Sequence, residues 1–238
     1  MWYSVLQKSH LHTSVHLLKK AAHNLKGNGT AAHVHNYRCR SAFKLLEIDD
    51  KYKLLKPGFN VIDCGAAPGA WSQIAVHRVN STGASEYNPT CGTVVGIDLL
   101  HIAPLDGAHF LSNHDITDPV TLAKLLELLP GAQPHVIMSD MAPNASGFKE
   151  MNHEKVITMS LIDLAEKVLQ TGGSLICKYW DGALAHQLQQ KLSAVFRDVR
   201  TVNPKASRKL FFLARSYRKN KIVWLYIFMH VVSFVHLQ

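Results

Sequence analysis

The 238-residue sequence predicts an α/β fold, a Rossmann-like, mostly parallel, doubly wound sheet. Two observations carry this. Short apolar runs recur at Val61–Cys64, Val94–Asp98, Phe110–Leu111, Val136–Ser139 and Leu175–Lys178. Between several of them lie helix-like stretches, Ala70–Val79, Val120–Leu129, Val156–Leu169 and Leu184–Phe196. Strands alternating with helices in this order build a parallel sheet covered on both faces. The second observation is the loop directly after the first run, where Gly65 and Gly69 enclose only small residues and a proline.

Ahead of this pattern the chain reads differently. Residues 1–46 hold seven Lys/Arg and no acid, and residues 199–238 hold eight and again no acid. The stretch between them carries 11 basic against 17 acidic residues. Basic ends on an acidic body point to a polyanion partner or to an addressing signal. The acid-free, Ser/Thr-bearing start fits a mitochondrial presequence, with a merely basic arm as the alternative. Asn24–His35, with two glycines and no periodicity, reads as a linker. Residues 1–35 are therefore expected to be presequence and linker.

From Tyr37 the pattern turns helical: Ala42, Phe43, Leu45, Leu46 and Ile48 form an apolar stripe, and Lys56-Pro57-Gly58 stops it. Four cysteines without CxxC spacing give no disulfide framework. Cys64 and Cys177 fall in apolar runs, where a thiol behaves as a small hydrophobe. Fifteen histidines raise the question of metal, but His12 and His16 lack a zincin acid, and His33 and His35 find no third ligand at a recognisable spacing. No metal site is expected. The last apolar stretch, Ile222–Leu237, is 16 residues long. It is short for a spanning helix. A strand, an interfacial helix and an unstructured tail all remain open for it, and no stable membrane insertion is expected.

In a doubly wound sheet ligands sit at the carboxyl ends of the strands. Asp63, Asp98, Asp115, Asp140 and Lys178 each end or follow a strand candidate. The loop Asp63-Cys64-Gly65-Ala66-Ala67-Pro68-Gly69-Ala70-Trp71 leads into a helix whose first N–H groups are free for a ligand. A dinucleotide fingerprint requires glycine at position 67, and Ala67 disfavours a pyrophosphate there, and with it a nicotinamide-dependent oxidoreductase. A phosphate-free cofactor such as S-adenosylmethionine meets no such objection. Asp98, ending the second strand, is placed to accept hydrogen bonds from ribose hydroxyls, and Asp115-Ile116 would lie near an adenine. A turn or cap role is the alternative for each aspartate taken alone. Lys178 ends a buried run, where a charge is costly unless it is paired or neutral. Asp140 on the neighbouring tip and Lys44 ahead of the sheet make a Lys-Asp-Lys cluster with it, the alternative being a lysine that snorkels to solvent.

Four ordered blocks then carry a resemblance: Tyr37-Arg38-Cys39-Arg40-Ser41-Ala42-Phe43-Lys44-Leu45-Leu46-Glu47; Asp63 through Gln73; Ser139-Asp140-Met141-Ala142-Pro143-Asn144; and Gly172-Gly173 leading to Lys178. From about residue 36 to 217 the chain resembles the FtsJ/RrmJ family of ribosomal RNA 2′-O-ribose methyltransferases, and within it the mitochondrial members acting on large-subunit ribosomal RNA. The resemblance implies an S-adenosylmethionine-dependent methyltransferase fold over 36–217, and an atypical apolar tail over 218–238. It implies S-adenosyl-L-methionine as cofactor, held by Asp63, Gly65, Ala66, Ala67, Pro68, Gly69, Ala70, Trp71, Asp98, Asp115, Ile116 and Asp140. It makes Lys178 the base, Asp140 its orienting partner and Lys44 a group that positions the ribose. The expected partner is large-subunit ribosomal RNA or its assembling particle, the expected nucleotide a uridine, the expected compartment the mitochondrial matrix, and a monomer is favoured.

The family pattern fails at one place. Relatives follow Ser-Arg with Ser-Ser-Glu and an aromatic strand, the Glu completing a Lys-Asp-Lys-Glu tetrad. Here Ala206-Ser207-Arg208-Lys209 runs straight into Leu210-Phe211-Phe212, and Asp198 is the last acid in the chain. Altered packing of the last strands is expected. The alternative function is a catalytically impaired protein of the same fold that binds ribosomal RNA or an assembling ribosome without turnover.

Overall fold

The structure, a computed structural model, describes residues 36–84, 90–141, 150–179, 182, 185–207 and 209–218, for 150–155 the backbone only. The presequence expected over 1–35, most of the tail from 218 and the Ala142-Pro143-Asn144 block lie outside the described residues. Among these, helix α1 (Ala42–Tyr52) precedes β1 (Asn60–Cys64), α2 (Ala70–Val79), β2 (Thr93–Asp98) and β3 (Ala108–Ser112). Next come α3 (Pro119–Glu127), β4 (Val136–Ser139), α4 (Glu150–Val168), β5 (Ser174–Tyr179), α5 (Ala185–Val195), β6 (Phe196–Val202) and β7 (Leu210–Tyr217). The seven strands form one sheet in the order β3-β2-β1-β4-β5-β7-β6. Strands β1 to β5 pair in parallel, while β7 runs antiparallel to both β5 and β6.

Strands β1, β2, β4 and β5 are legible as apolar runs because both faces of the sheet are covered there. Alternate residues go to opposite faces. Ile62, Cys64, Ile97, Ile137, Leu175 and Cys177 meet Leu161, Ala165, Leu188 and Leu192 of α4 and α5. Val61, Val94, Val136, Met138 and Ile176 meet Leu45, Ile48, Trp71 and Ile74 of α1 and α2. Cys64 and Cys177 are fully buried, and burial pushes the Cys177 thiol up to about 12. Helix α2 spans the expected residues. Helix α3 starts where Asp118 accepts the Val120 N–H with Pro119 in the first turn, a capping arrangement that satisfies otherwise unpaired donors.

One helix end differs from expectation and uncovers a strand. The helix expected through Phe196 ends at Val195, and Phe196 opens β6, whose alternation of buried and charged residues (Phe196, Arg197, Asp198, Arg200, Val202) gives no apolar run. Strand β7 is paired on both sides, from Leu210 with Tyr179 through Tyr217 with Phe196. Phe211 and Phe212 drive this, since both are almost wholly buried, one on each face. Burial of a phenylalanine is worth about 2–3 kcal/mol.

Candidate active site

The order of strands reverses between β1 and β4, and the residues expected to carry chemistry gather at that switch point. Strand β1 carries Asp63 in its fourth position, β4 ends at Ser139 just before Asp140, and β5 carries Lys178 next to its last residue. Helix α1 brings Lys44 to the same place from the other side.

Asp140 joins the cluster. Lys44 Nζ donates to Asp140 Oδ2 at 2.7 Å and Lys178 Nζ to Oδ1 at 3.0 Å, so each carboxylate oxygen holds one lysine. Lys178 also donates to the Asp140 carbonyl, and the Ser41 hydroxyl donates to Oδ2. Ser41 is in turn fixed by its carbonyl, which accepts the Trp71 indole N–H at 3.0 Å. The lysine therefore does not snorkel. Its side chain is 7% exposed, against 18% for Asp140 and 15% for Lys44.

Burial holds Lys178 below the ordinary lysine range. The carboxylate of Asp140 pulls it back up, and Lys44 and Lys209 push it down. Burial alone would raise Asp140, but the two ammonium groups beside it outweigh that and hold its carboxyl below the usual range. The result is an ionised aspartate gripping a lysine that gives up its proton more readily than one in water.

The glycine loop is pinned to the tip of β2. Gly65 and Ala66 donate to the Ile97 carbonyl at 2.8 and 3.1 Å, and the Ala67 N–H donates to Asp98 Oδ2 at 2.9 Å. Gly65 has a φ of +73°, and a Cβ there would lie 2.1 Å from Met141 Cγ, so the turn and its contact with the loop after β4 both require glycine. A Cβ on Gly69 would lie 2.5 Å from Arg38 Nη1, and the Arg38 guanidinium donates to the carbonyls of Pro68 and Ala103 at 3.0 and 2.7 Å. Pro68 is exposed, whereas Ala70 and Trp71 open α2 with side chains in the core, Trp71 stacked on Phe211 at 5.7 Å.

Asp63 is 1% exposed and accepts the Ser72 hydroxyl at 2.7 Å. Burial, reinforced by the charges of Asp98 and Asp140 and opposed by Ser72, pushes its carboxyl up to about 7. Asp98 is raised by burial and held down in part by the N–H groups of Leu100 and Ala67. The Asp98 carbonyl accepts the His114 N–H at 3.1 Å, which brings the segment after β3 alongside. There Asp115 is exposed and accepts the Thr117 N–H and hydroxyl at 2.8 and 2.7 Å, a local turn, while Ile116 packs on the core. Among the described residues no group of three His, Cys, Asp or Glu could hold a metal, and no helix is long and apolar enough to cross a membrane.

Sequence reasoning missed two contacts. One is Ser41. The other is Glu47 of α1, whose carboxylate accepts the N–H groups of Lys205 and Ala206 at 2.8 and 3.0 Å and ties the segment before β7 to α1. Both residues stand in the block from Tyr37 to Glu47, which was the available signal.

A sequence profile described as FtsJ-like methyltransferase matches residues 37–211. The chain belongs to this family. The FtsJ-like chain is 39% identical over 193 residues to rRNA methyltransferase 2, mitochondrial, of Drosophila melanogaster, covering 79% of this chain and 77% of that protein. It is 33% identical over 209 residues to ribosomal RNA large subunit methyltransferase E of Methanosphaera stadtmanae, covering 85% and 98%. A solved ribosomal RNA methyltransferase from Plasmodium falciparum superposes with a TM-score of 0.68 at 27% identity, over 77% of this chain and all of that one. The Rossmann-like methyltransferase fold expected from the sequence is thus the fold of this FtsJ-like chain.

Proposed function

We propose that the chain transfers a methyl group from S-adenosyl-L-methionine to a ribose 2′-hydroxyl, on a uridine, of mitochondrial large-subunit ribosomal RNA, alone or in its assembling particle. The observation that carries this is the buried Lys178, oriented by Asp140 beside Lys44 at the edge of a methyltransferase sheet. The names of the relatives support ribosomal RNA as the substrate class and the mitochondrion as compartment, within which the matrix is our reading. On this reading residues 36–217 are the catalytic domain, preceded by a presequence and followed by an apolar tail.

The residues fit the cofactor on electrostatic grounds. Asp63, Asp98 and Asp140 crowd three carboxyl groups at neighbouring strand tips, and two of them are driven upward by burial. Asp140 already holds Lys44 and Lys178, so the carboxyl groups a further cation would favour are Asp63 and Asp98, and S-adenosylmethionine carries a sulfonium and an ammonium. Asp98 keeps unused lone pairs on oxygens that already accept the Ala67 and Leu100 N–H groups, so it can also take ribose hydroxyls. The close backbone turn at Gly65 and Gly69 would lie against the ligand, with Ala66, Ala67 and Pro68 between them, the first N–H groups of Ala70 and Trp71 behind them, and Asp115 and Ile116 toward the adenine.

When bound, S-adenosylmethionine supplies an electrophilic methyl group. A ribose hydroxyl is a poor nucleophile, and the chain must take its proton as the new O–C bond forms and the methyl group's bond to sulfur breaks, its electron pair leaving on a neutral thioether. Neutral Lys178 accepts that proton. Asp140 keeps the Lys178 amine pointed at the hydroxyl and stabilises the ammonium that results, and Lys44 holds the ribose in line.

Incubation with labelled cofactor and large-subunit ribosomal RNA tests this. Label appears in the RNA as a 2′-O-methyl nucleotide, and Lys178→Met lowers transfer by about a hundredfold or more while cofactor binding by calorimetry persists. Undiminished transfer by Lys178→Met overturns the base assignment. RNA and cofactor binding without any transfer supports the second reading, an impaired binding protein, which is favoured by the lack of any acid after Asp198.

A further inference from the structure

The stretch ahead of α1 is pinned to α2, and from there Arg38 reaches two loops at once. The Arg38 N–H donates to Gln73 Oε1 at 2.7 Å, and Gln73 Nε2 donates to the Asn36 carbonyl at 3.1 Å, so α2 fixes the backbone at and just before this residue. Its Nη1 donates to the Pro68 carbonyl at 3.0 Å and to the Ala103 carbonyl at 2.7 Å, and its Nη2 donates to the Pro104 carbonyl. The guanidinium carbon stands 6.0 Å from the centre of the Phe110 ring on β3.

Pro68 belongs to the loop after β1, and Ala103-Pro104 to the loop after β2. These loops are already joined at their base, where the Ala67 N–H meets Asp98 Oδ2. The Leu100 N–H on Asp98 Oδ1 and the Ile102 N–H on Ser112 Oγ then carry the second loop along β3. Arg38 joins the two loops again at their far ends. The three carbonyls it reaches lie outside the strands, where no sheet partner supplies a donor. A guanidinium presents enough fixed donors to satisfy all three, and an ammonium does not. Gly69 completes the fit, since its φ is +105° and a Cβ there would lie 2.5 Å from Nη1.

On the reading above, the loop after β1 lies against S-adenosylmethionine and Asp98 takes its ribose hydroxyls. We infer that Arg38 is a positioning residue for the cofactor, holding these two loops at the spacing the ligand requires before the ligand arrives. This rests on the cofactor assignment of the proposed function and deepens it. Arg38 touches neither cofactor nor RNA: its donors are directed at backbone carbonyls, and its effect passes through Pro68 and Asp98. Loops held in their liganded arrangement need not be ordered by the ligand, and affinity rises accordingly.

Calorimetric titration of S-adenosylmethionine into the full chain tests this, for the wild type, Arg38→Met, Arg38→Lys and Arg38→Ala. Charge and positioning predict opposite signs. The cofactor is cationic, so removing a nearby cation tightens binding if charge alone matters, whereas loss of the tie between the loops weakens it. Arg38→Met is expected to bind about tenfold more weakly, the scale of one or two lost charge-assisted hydrogen bonds. Arg38→Lys keeps the charge yet stays close to Arg38→Met, because it lacks the planar fork that spans both loops. In Arg38→Ala, added ethylguanidinium restores affinity and ethylammonium does not, a difference that general damage to the fold would not produce. RNA binding is the control. Each phosphate contact to a single strand contributes about 0.7 to the slope of log affinity against log salt concentration, and that slope is the same in all four proteins. Arg38→Met that binds the cofactor as tightly as the wild type or more tightly, or Arg38→Lys with wild-type affinity, overturns the assignment of Arg38 alone. So does a salt slope lowered by about 0.7 in Arg38→Met, which would put an RNA phosphate on the guanidinium. Wild-type protein that binds no S-adenosylmethionine overturns the cofactor assignment itself, and this inference with it.

Discussion

Replacing Asp63 by asparagine tests the electrostatics of the strand-tip cluster without touching the proposed base. The Asp63 carboxyl is buried and is raised from 3.8 to about 7, first by burial and then by Asp98 and Asp140. A carboxyl raised in the folded state binds its proton more tightly there than in the unfolded chain. Its contribution to stability is therefore complete below the unfolded value of 3.8 and is lost as pH climbs toward 7. Each pH unit of that interval is worth about 1.4 kcal/mol, so the whole shift amounts to about 4 kcal/mol, with roughly 2–3 of it between about pH 5 and pH 7.5. Asparagine cannot ionise. Whatever its amide costs in the pocket is the same at every pH, so the difference in unfolding free energy between the two proteins isolates the titration. Urea unfolding of the ligand-free proteins across this range is expected to move the difference in favour of Asp63→Asn by about 2–3 kcal/mol as pH rises. A flat difference, or one moving toward the wild type, would refute the raised Asp63 carboxyl on which the cofactor fit rests. The same physics requires that binding a cation releases the Asp63 proton below about pH 7. Calorimetry of S-adenosylmethionine in two buffers of unequal ionisation enthalpy reads that release directly.

Two further outcomes follow from distances at the site. In Asp140→Asn the amide no longer favours the protonated form of Lys178. Transfer falls sharply because the amine loses its orientation, and the rising limb of kcat/KM against pH moves to lower pH, by about 1–3 units for removal of an adjacent charge; a limb that moves upward would exclude Lys178 as the titrating base. In Gly65→Ala the new methyl group meets Met141 Cγ at 2.1 Å, in a backbone conformation at φ +73° that alanine resists. A loss of about 2–4 kcal/mol in unfolding free energy is expected, partly restored by also shortening Met141 to Ala, and full stability of the single variant would show that the loops after β1 and β4 do not touch.

What the sequence made legible was what lies close together along the chain or repeats in a fixed period. The run of small residues from Gly65 to Gly69 is contiguous, and α2 spans the residues its stripe predicts because both of its ends lie in tight turns at Gly69 and Asn80. Helix α4 begins at Glu150, ahead of the expected Val156, since its polar first turns carry no apolar period. Strand β6 escaped for the opposite reason. It is an edge strand whose Asp198 pairs with Arg200 on its own strand and Arg215 on β7, and charged pairs of this kind stabilise an edge without an apolar run. Ser41 and Glu47 were invisible as site residues because their partners, Asp140 and the Lys205–Ala206 backbone, are far away in sequence.

The same distinction bears on the missing carboxylate. Ser41, Lys44, Asp140 and Lys178 all precede the segment where the resemblance implies a further carboxylate, and the contacts among them are made by α1 and the residue before it, the residue after β4, and β5. What lies beyond that point is only the entry to β7, which reaches the site through the antiparallel pairing of that strand and through Glu47. Its aromatic residues still close the sheet, so the change leaves the proton-transfer groups supported by the same core. The basicity of Lys178 is governed by burial before any neighbouring lysine acts on it.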